Sequence, residues 1–146
     1  MTDIHRPDNL YELCDEVCIA IEASPTNYYQ PMWATPARGV YGKKACGTAF
    51  CRAGWMVALA DGHAKAASGG VYKRALEMFT KAGISKAELQ LLFQPDPGAY
   101  GRAYGDVVDK YVKEGTPEYV AIGAAGMRKF MAKWKKQLKE AKLDAC

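Results

Sequence analysis

Ala45-Cys46-Gly47-Thr48-Ala49-Phe50-Cys51-Arg52-Ala53-Gly54-Trp55-Met56-Val57-Ala58-Leu59-Ala60-Asp61-Gly62 is the stretch whose reading decides the fold. Thr48 offers a hydroxyl N-cap and Asp61-Gly62 a glycine stop, so the spacing predicts a helix from about Ala49 to Ala60. Arg52 is the one charge inside it. At 100° per residue Cys51, Gly54, Trp55, Ala58 and Leu59 share one side, and Met56, Val57 and Ala60 fill the other. A helix apolar almost all round is a buried helix. The small residues Ala53, Gly54 and Ala58 admit close neighbours, and Trp55 fills the space between them. The expectation is a central core helix.

Working outward, the preceding segment supplies a second helix. Leu10, Leu13, Cys14, Val17 and Ile21 recur at helical spacing from an Asp8 cap to about Ala23, with Glu12, Asp15, Glu16 and Glu22 opposite. Cys18 falls at the margin of that stripe. Ser24-Pro25 stops it, and residues 25–44 carry three prolines and two glycines among Tyr28, Tyr29, Met32, Trp33 and Tyr41. This composition predicts an ordered aromatic loop laid over the core, with Tyr41 able to join a short extended piece.

Downstream, residues 62–70 read as a mobile Gly/Ala loop. Val71–Ala82 is a helix facing inward through Val71, Ala75, Met78 and Phe79, stopped by Gly83. Ser85-Lys86-Ala87-Glu88 matches a capping box and opens a short helix to about Phe93, closed by the turn Pro95-Asp96-Pro97-Gly98. Tyr100 and Tyr104 sit in a second Gly-rich segment, followed by a helix over about Asp106–Glu114. Thr116-Pro117-Glu118 is a strong helix start. The last helix runs from about Pro117 to Lys142, with Met127, Phe130, Met131, Trp134 and Leu138 as its apolar stripe; Gly123 and Gly126 weaken it by roughly 1 kcal/mol each. No β pattern competes. The class is all-α: one domain over residues 1–146, five or six helices packed around the central one, with the last helix free to project.

The 146 residues suffice for one unstapled core. Hydrophobic content of 49% and charged content of 25% are those of an ordinary globular protein, without an apolar run long enough for a membrane span. Asp3, His5, Arg6 and Asp8 argue against a secretory leader, which places the chain in the cytoplasm. The cysteines are odd in number, five, and mostly at apolar positions, so they read as reduced thiols. Net charge is +4, concentrated at one end: residues 128–146 hold seven basic residues against Glu140 and Asp144.

The order Ile21-Glu22-x-x-Pro25, Met32-Trp33, then Cys46-Gly47-Thr48-x-x-Cys51-x-Ala53-Gly54-Trp55, with Gly83-Ile84-Ser85 and Leu92-Phe93 beyond, resembles a group of small uncharacterised proteins from bacteriophages and bacteria. The resemblance covers roughly residues 10–93 and marks Cys46, Gly47, Thr48, Cys51, Gly54 and Trp55 as its structural motif. It implies a phage or prophage origin and brings no established activity. The basic C-terminal helix lies outside it.

Three functions compete. The first is a non-enzymatic binding protein, engaging a host protein or a second copy of itself in a host-takeover or counter-defence setting. Its surface would come from Tyr28, Tyr29, Trp33 and Tyr41 in the aromatic loop and from Lys129, Lys133 and Lys136 on the last helix. The second is a nucleic-acid accessory protein that docks residues 128–142 on a phosphate backbone; lysines give charge there without base readout. The third is a cysteine-based site. Cys51, near a helix start and beside Arg52, has features that favour thiolate, and Cys14, Cys18, Cys46 and Cys51 could together hold zinc. The histidines, His5 and His63, are badly placed to serve Cys51 as a base, and packing of its sulfur on Trp55 competes with any nucleophilic role. The reading adopted is the first: no catalytic residue, no cofactor.

Overall fold

The computed structural model describes residues 6–23, 28, 34–36, 48–67, 70–108, 112–113 and 115–143. They form an all-α fold in which helices α1 (Leu10–Ala23), α2 (Arg52–Asp61), α3 (His63–Ala67), α4 (Val71–Thr80), α5 (Lys86–Leu92), α6 (Ala99–Ala103), α7 (Pro117–Lys133) and α8 (Lys135–Glu140) surround one core. Helix α1 packs along α7 and against α8, while α2 crosses α1 and lies beside α3 and α4.

The predicted stripe of α1 is buried as a whole: Leu10, Leu13, Cys14, Val17 and Ile21, joined by Cys18. Its cap is Asn9 rather than Asp8. The Asn9 Oδ1 accepts the Glu12 N–H at 2.8 Å, and the Glu12 carboxylate takes the Asp8 N–H in return.

The central helix is confirmed, with a later start. Residues Thr48–Phe50 are not its first turn but strand β2, paired antiparallel with β1 (Ala34–Pro36) so that Ala34 faces Phe50 and Pro36 faces Thr48. Cys51 is the N-cap: extended at φ −74° and ψ 179°, it accepts the Gly54 N–H on its sulfur at 3.3 Å. Helix α2 then buries Arg52 through Ala58 and Ala60, and ends where Gly62 takes φ +103°.

Beyond it three expectations are corrected. The segment read as a mobile loop contains α3, tied to α2 by the His63 ring standing edge-on to Trp55 at 5.7 Å. The helix expected over 106–114 is absent from the described part of that range; a helix precedes it instead, α6, which carries Tyr100 into the core. The long last helix is interrupted at Trp134 (φ −110°, ψ +21°), and α8 continues along α1 instead of projecting. The end of α8 is fastened to the start of α1 by the Leu10 N–H on the Ala141 carbonyl and the Leu143 N–H on the Asp8 carbonyl, both 3.0 Å, with Leu138 and Leu143 buried beneath.

Other expectations stand. Helix α4 buries Val71, Ala75, Met78 and Phe79, and the Arg74 guanidinium grips Asp61 at 2.8 and 3.2 Å. Ser85 caps α5 and Thr116 caps α7 through the Tyr119 N–H at 3.2 Å. Gly123 and Gly126, unfavourable for a helix in isolation, have a packing reason. A Cβ at position 123 would run into the Tyr28 ring, and one at 126 would stand 2.5 Å from the Arg52 Nη2. Glycine lets both bulky groups lie against the α7 backbone.

Candidate functional site

Arg52 is fully buried at the middle of the fold. Its Nε and Nη2 donate to the Gly123 carbonyl at 3.3 and 2.9 Å, Nη1 to the Leu92 carbonyl at 2.8 Å, and Nη2 also to the Pro97 carbonyl at 2.6 Å. One guanidinium thus joins α2, the end of α5, the turn before α6 and the middle of α7. These bonds satisfy the donors of a buried cation and tie it to carbonyls of three separate segments. The role is structural.

The same burial settles the state of the thiols. Cys14, Cys18 and Cys51 are free and buried. Burial pushes Cys14 well up, with the neighbouring Cys18 adding to it, and raises Cys18 to about 11. Burial also raises Cys51, outweighing the helix N–H groups and Arg52 that pull it down. The features of Cys51 that favour a thiolate are thus outweighed: desolvation exceeds the favourable start-of-helix field. Among the described residues no group of three or more histidine, cysteine or acidic side chains is placed to hold a metal ion. Cys46, with Gly47, lies outside the described residues.

Of the surface residues expected to bind a partner, Tyr28 is a core residue instead. It is fully buried, with its ring 5.3 Å from Tyr119 and against Gly123. Tyr29, Trp33 and Tyr41 lie outside the described residues. The basic helix is largely engaged within the fold. Arg128 makes a bidentate pair with Glu22 at 2.6 and 2.8 Å, Lys129 reaches Asp106 at 2.9 Å, and the Lys139 ammonium lies 4.9 Å from the Tyr11 ring centre. Lys135, Lys136 and Lys142 are exposed.

Lys133 leads to a cluster that sequence reasoning missed. Glu88 on α5 is buried, and its Oε1 accepts from both the Tyr104 hydroxyl and the Lys133 ammonium. Lys133 also donates to the Tyr104 hydroxyl at 2.8 Å, its nitrogen 4.0 Å from the Tyr104 ring centre and 5.6 Å from that of Trp134. Tyr100 is stacked at a tilt on Tyr104, ring centres 4.9 Å apart. Burial pushes the Glu88 carboxyl up, but Lys133, Tyr104, Tyr100 and Trp134 outweigh it, and the net shift is downward. The Glu88 Oε2, the Tyr100 hydroxyl and the Trp134 Nε1 are buried without a hydrogen bond of ordinary geometry among the described residues. The signal available in sequence was Glu88 itself, read as the acidic half of a capping box. The Ser85 half of that box forms, with the Glu88 N–H on Ser85 Oγ at 3.3 Å, while the carboxylate turns to Lys133.

A different face carries an open groove of about 330 Å³ lined by Val107, Val108, Val112, Glu118, Ala121 and Ile122. Val107 is completely exposed and Ala121 is exposed beside it on α7. No described helix is long and apolar enough to cross a membrane. No protein-family model, curated protein or solved structure matches this chain.

Proposed function

We propose that this chain is a non-enzymatic binding protein whose partner is another protein, a host protein or a second copy of itself. The observation that carries the reading is the groove lined by Val107, Val108, Val112 and the first two turns of α7, where apolar side chains line an open surface and Val107 is wholly in solvent. Exposed apolar surface of this kind, edged here by Glu118, is what protein partners bury. The groups with chemical potential support the same reading from the other side. Arg52 and the Cys51 sulfur are bonded into the frame, and burial raises the pKa of the three described thiols. The cytoplasmic location and the phage setting rest on sequence, the second on motif resemblance.

Capture of partners from the native host extract tests this, with the wild-type chain beside Val107→Asp and Ala121→Glu, two exposed positions whose substitution leaves the core untouched. A protein retained by the wild type and lost by both variants is the expected result. Equal retention by all three, or a strictly monomeric wild-type chain that retains nothing, overturns the assignment.

The nucleic-acid reading has one observation in its favour, the exposed Lys135, Lys136 and Lys142 on and beside α8. Pairing of Arg128, Lys129 and Lys133 with Glu22, Asp106 and Glu88 removes much of the charge that it needs. Affinity for duplex DNA that falls steeply with salt and is abolished by Lys135→Glu with Lys136→Glu would restore it.

A further inference from the structure

We propose that Glu88, Tyr104 and Trp134 form a binding site for a primary alkylammonium group, the head of a lysine side chain, which in the isolated chain is filled by the protein's own Lys133. The geometry has the parts such a site requires. A buried carboxylate supplies the counter-charge, and Oε1 already accepts from an ammonium. The Tyr104 hydroxyl accepts a second N–H of the same nitrogen at 2.8 Å. The rings of Tyr104 and Trp134, at 4.0 and 5.6 Å, present π faces to the charge, within the range where cation–π attraction operates.

Two observations mark this as a site rather than a surface ion pair. The first is that the counter-charge is built into the core: the Glu88 carboxylate is buried, with Tyr100 and Trp134 set against it beside Tyr104. The second is the asymmetry of exposure. The Glu88 side chain is 7% exposed and that of Lys133 42%, so the anion is fixed in the wall and the cation enters from solvent. A buried carboxylate deprived of a cation is costly, so occupancy of the site by an ammonium, its own or another's, is favoured.

Lys133 is also placed to leave. It is the last residue of α7, next to the break at Trp134, so its side chain can swing out without unwinding a helical turn. A competing ammonium must displace a tethered one whose effective concentration is in the millimolar range. Wild-type protein consequently answers to free amines weakly, and a partner lysine gains access only with help from contacts elsewhere. The inference goes beyond the groove described above and does not depend on it.

The test follows the Trp134 indole N–H by NMR, assigned with Trp134→Phe, during titration with n-butylammonium chloride against sodium chloride at equal ionic strength. In Lys133→Ala, n-butylammonium is expected to give a saturable shift and to raise Tm, at concentrations at least tenfold below those the wild type requires. Tetramethylammonium, which has no N–H to donate, is expected to bind more weakly. The Lys133→Ala/Glu88→Gln double variant should lose the response. Nα-acetyl-lysine amide reproducing the effect identifies a lysine side chain as a ligand source; failure of that compound while n-butylammonium binds restricts the site to small amines and overturns the lysine assignment. A folded Lys133→Ala that answers n-butylammonium no better than sodium chloride overturns the site. Should Lys133→Ala not fold, Lys133→Gln takes its place in the same titration, with a saturable n-butylammonium response expected and a response no better than sodium chloride overturning the site.

Discussion

The Arg52 Nη2 lies where a Cβ on Gly126 would stand only 2.5 Å away, while the same nitrogen donates to the Gly123 carbonyl at 2.9 Å. The central helix and α7 are therefore locked by a long cation that fits only against a glycine backbone.

Gly126→Ala places two effects in opposition. Alanine favours the helix by about 1 kcal/mol, while overpacking in a filled core costs about 1–3 kcal/mol. The clash is with a guanidinium held by four hydrogen bonds, so the cost should win. A net loss of about 1 kcal/mol in urea unfolding is expected, and Gly123→Ala, which meets the Tyr28 ring, should behave alike.

Arg52→Met keeps the stem and removes every donor. The carbonyls of Leu92, Pro97 and Gly123 would lose these partners, at about 1–3 kcal/mol for each one left unsatisfied. A loss of more than about 3 kcal/mol is expected by denaturant titration, with Arg52→Lys between the two because one ammonium cannot span three carbonyls.

How far the fold was legible in the sequence follows from the same residues. The stripes of α1 and α4 and the caps Ser85 and Thr116 could be read because apolar spacing and hydroxyl caps are local signals. The start of α2 was misread because a thiol does the work usually given to Ser, Thr, Asp or Asn, and Thr48 offered the conventional cap three residues too early. The interruption at Trp134 could not be seen, since Met127 through Leu138 keeps helical period across it, and the packing of α8 on α1 is a tertiary contact with no local signal. The Glu88 cluster joins residues 16 and 45 positions apart, a distance over which a single sequence carries no pairing signal. Arg52 was visible as a lone charge in an apolar helix, but its carbonyl partners were not.

Cys51→Ser should retain the cap and Cys51→Ala lose it, at a cost of about 1 kcal/mol. Mass mapping after brief treatment of native protein with a thiol reagent should find Cys14, Cys18 and Cys51 unlabelled, and labelled only when the chain is unfolded. Rapid labelling of Cys51 in native protein would contradict the account of its raised pKa.

The pH dependence has a definite sign. The folded-state pKa of Glu88 is depressed, so its ionised form adds stability above the ordinary carboxylate range, and that contribution is lost as pH falls through the folded value. Wild-type protein should therefore exceed Glu88→Gln in Tm at pH 6–7, with the gap closing in acid below about pH 4. A gap that widens in acid would contradict this. Glu22, lowered by its bond to Arg128, adds the same trend at the surface, where salt should weaken it.

The measurement that bears most directly on the proposed function is hydrogen exchange along the chain, alone at low concentration and again in complex with the captured partner or with itself at high concentration. Slowed exchange in the backbone around Val107 and in the first two turns of α7, Pro117 to Ile122, is the result predicted for a protein that binds through this groove. Protection confined to residues 128–142, with the groove unchanged, would contradict it and assign the binding surface to the lysine-rich helix.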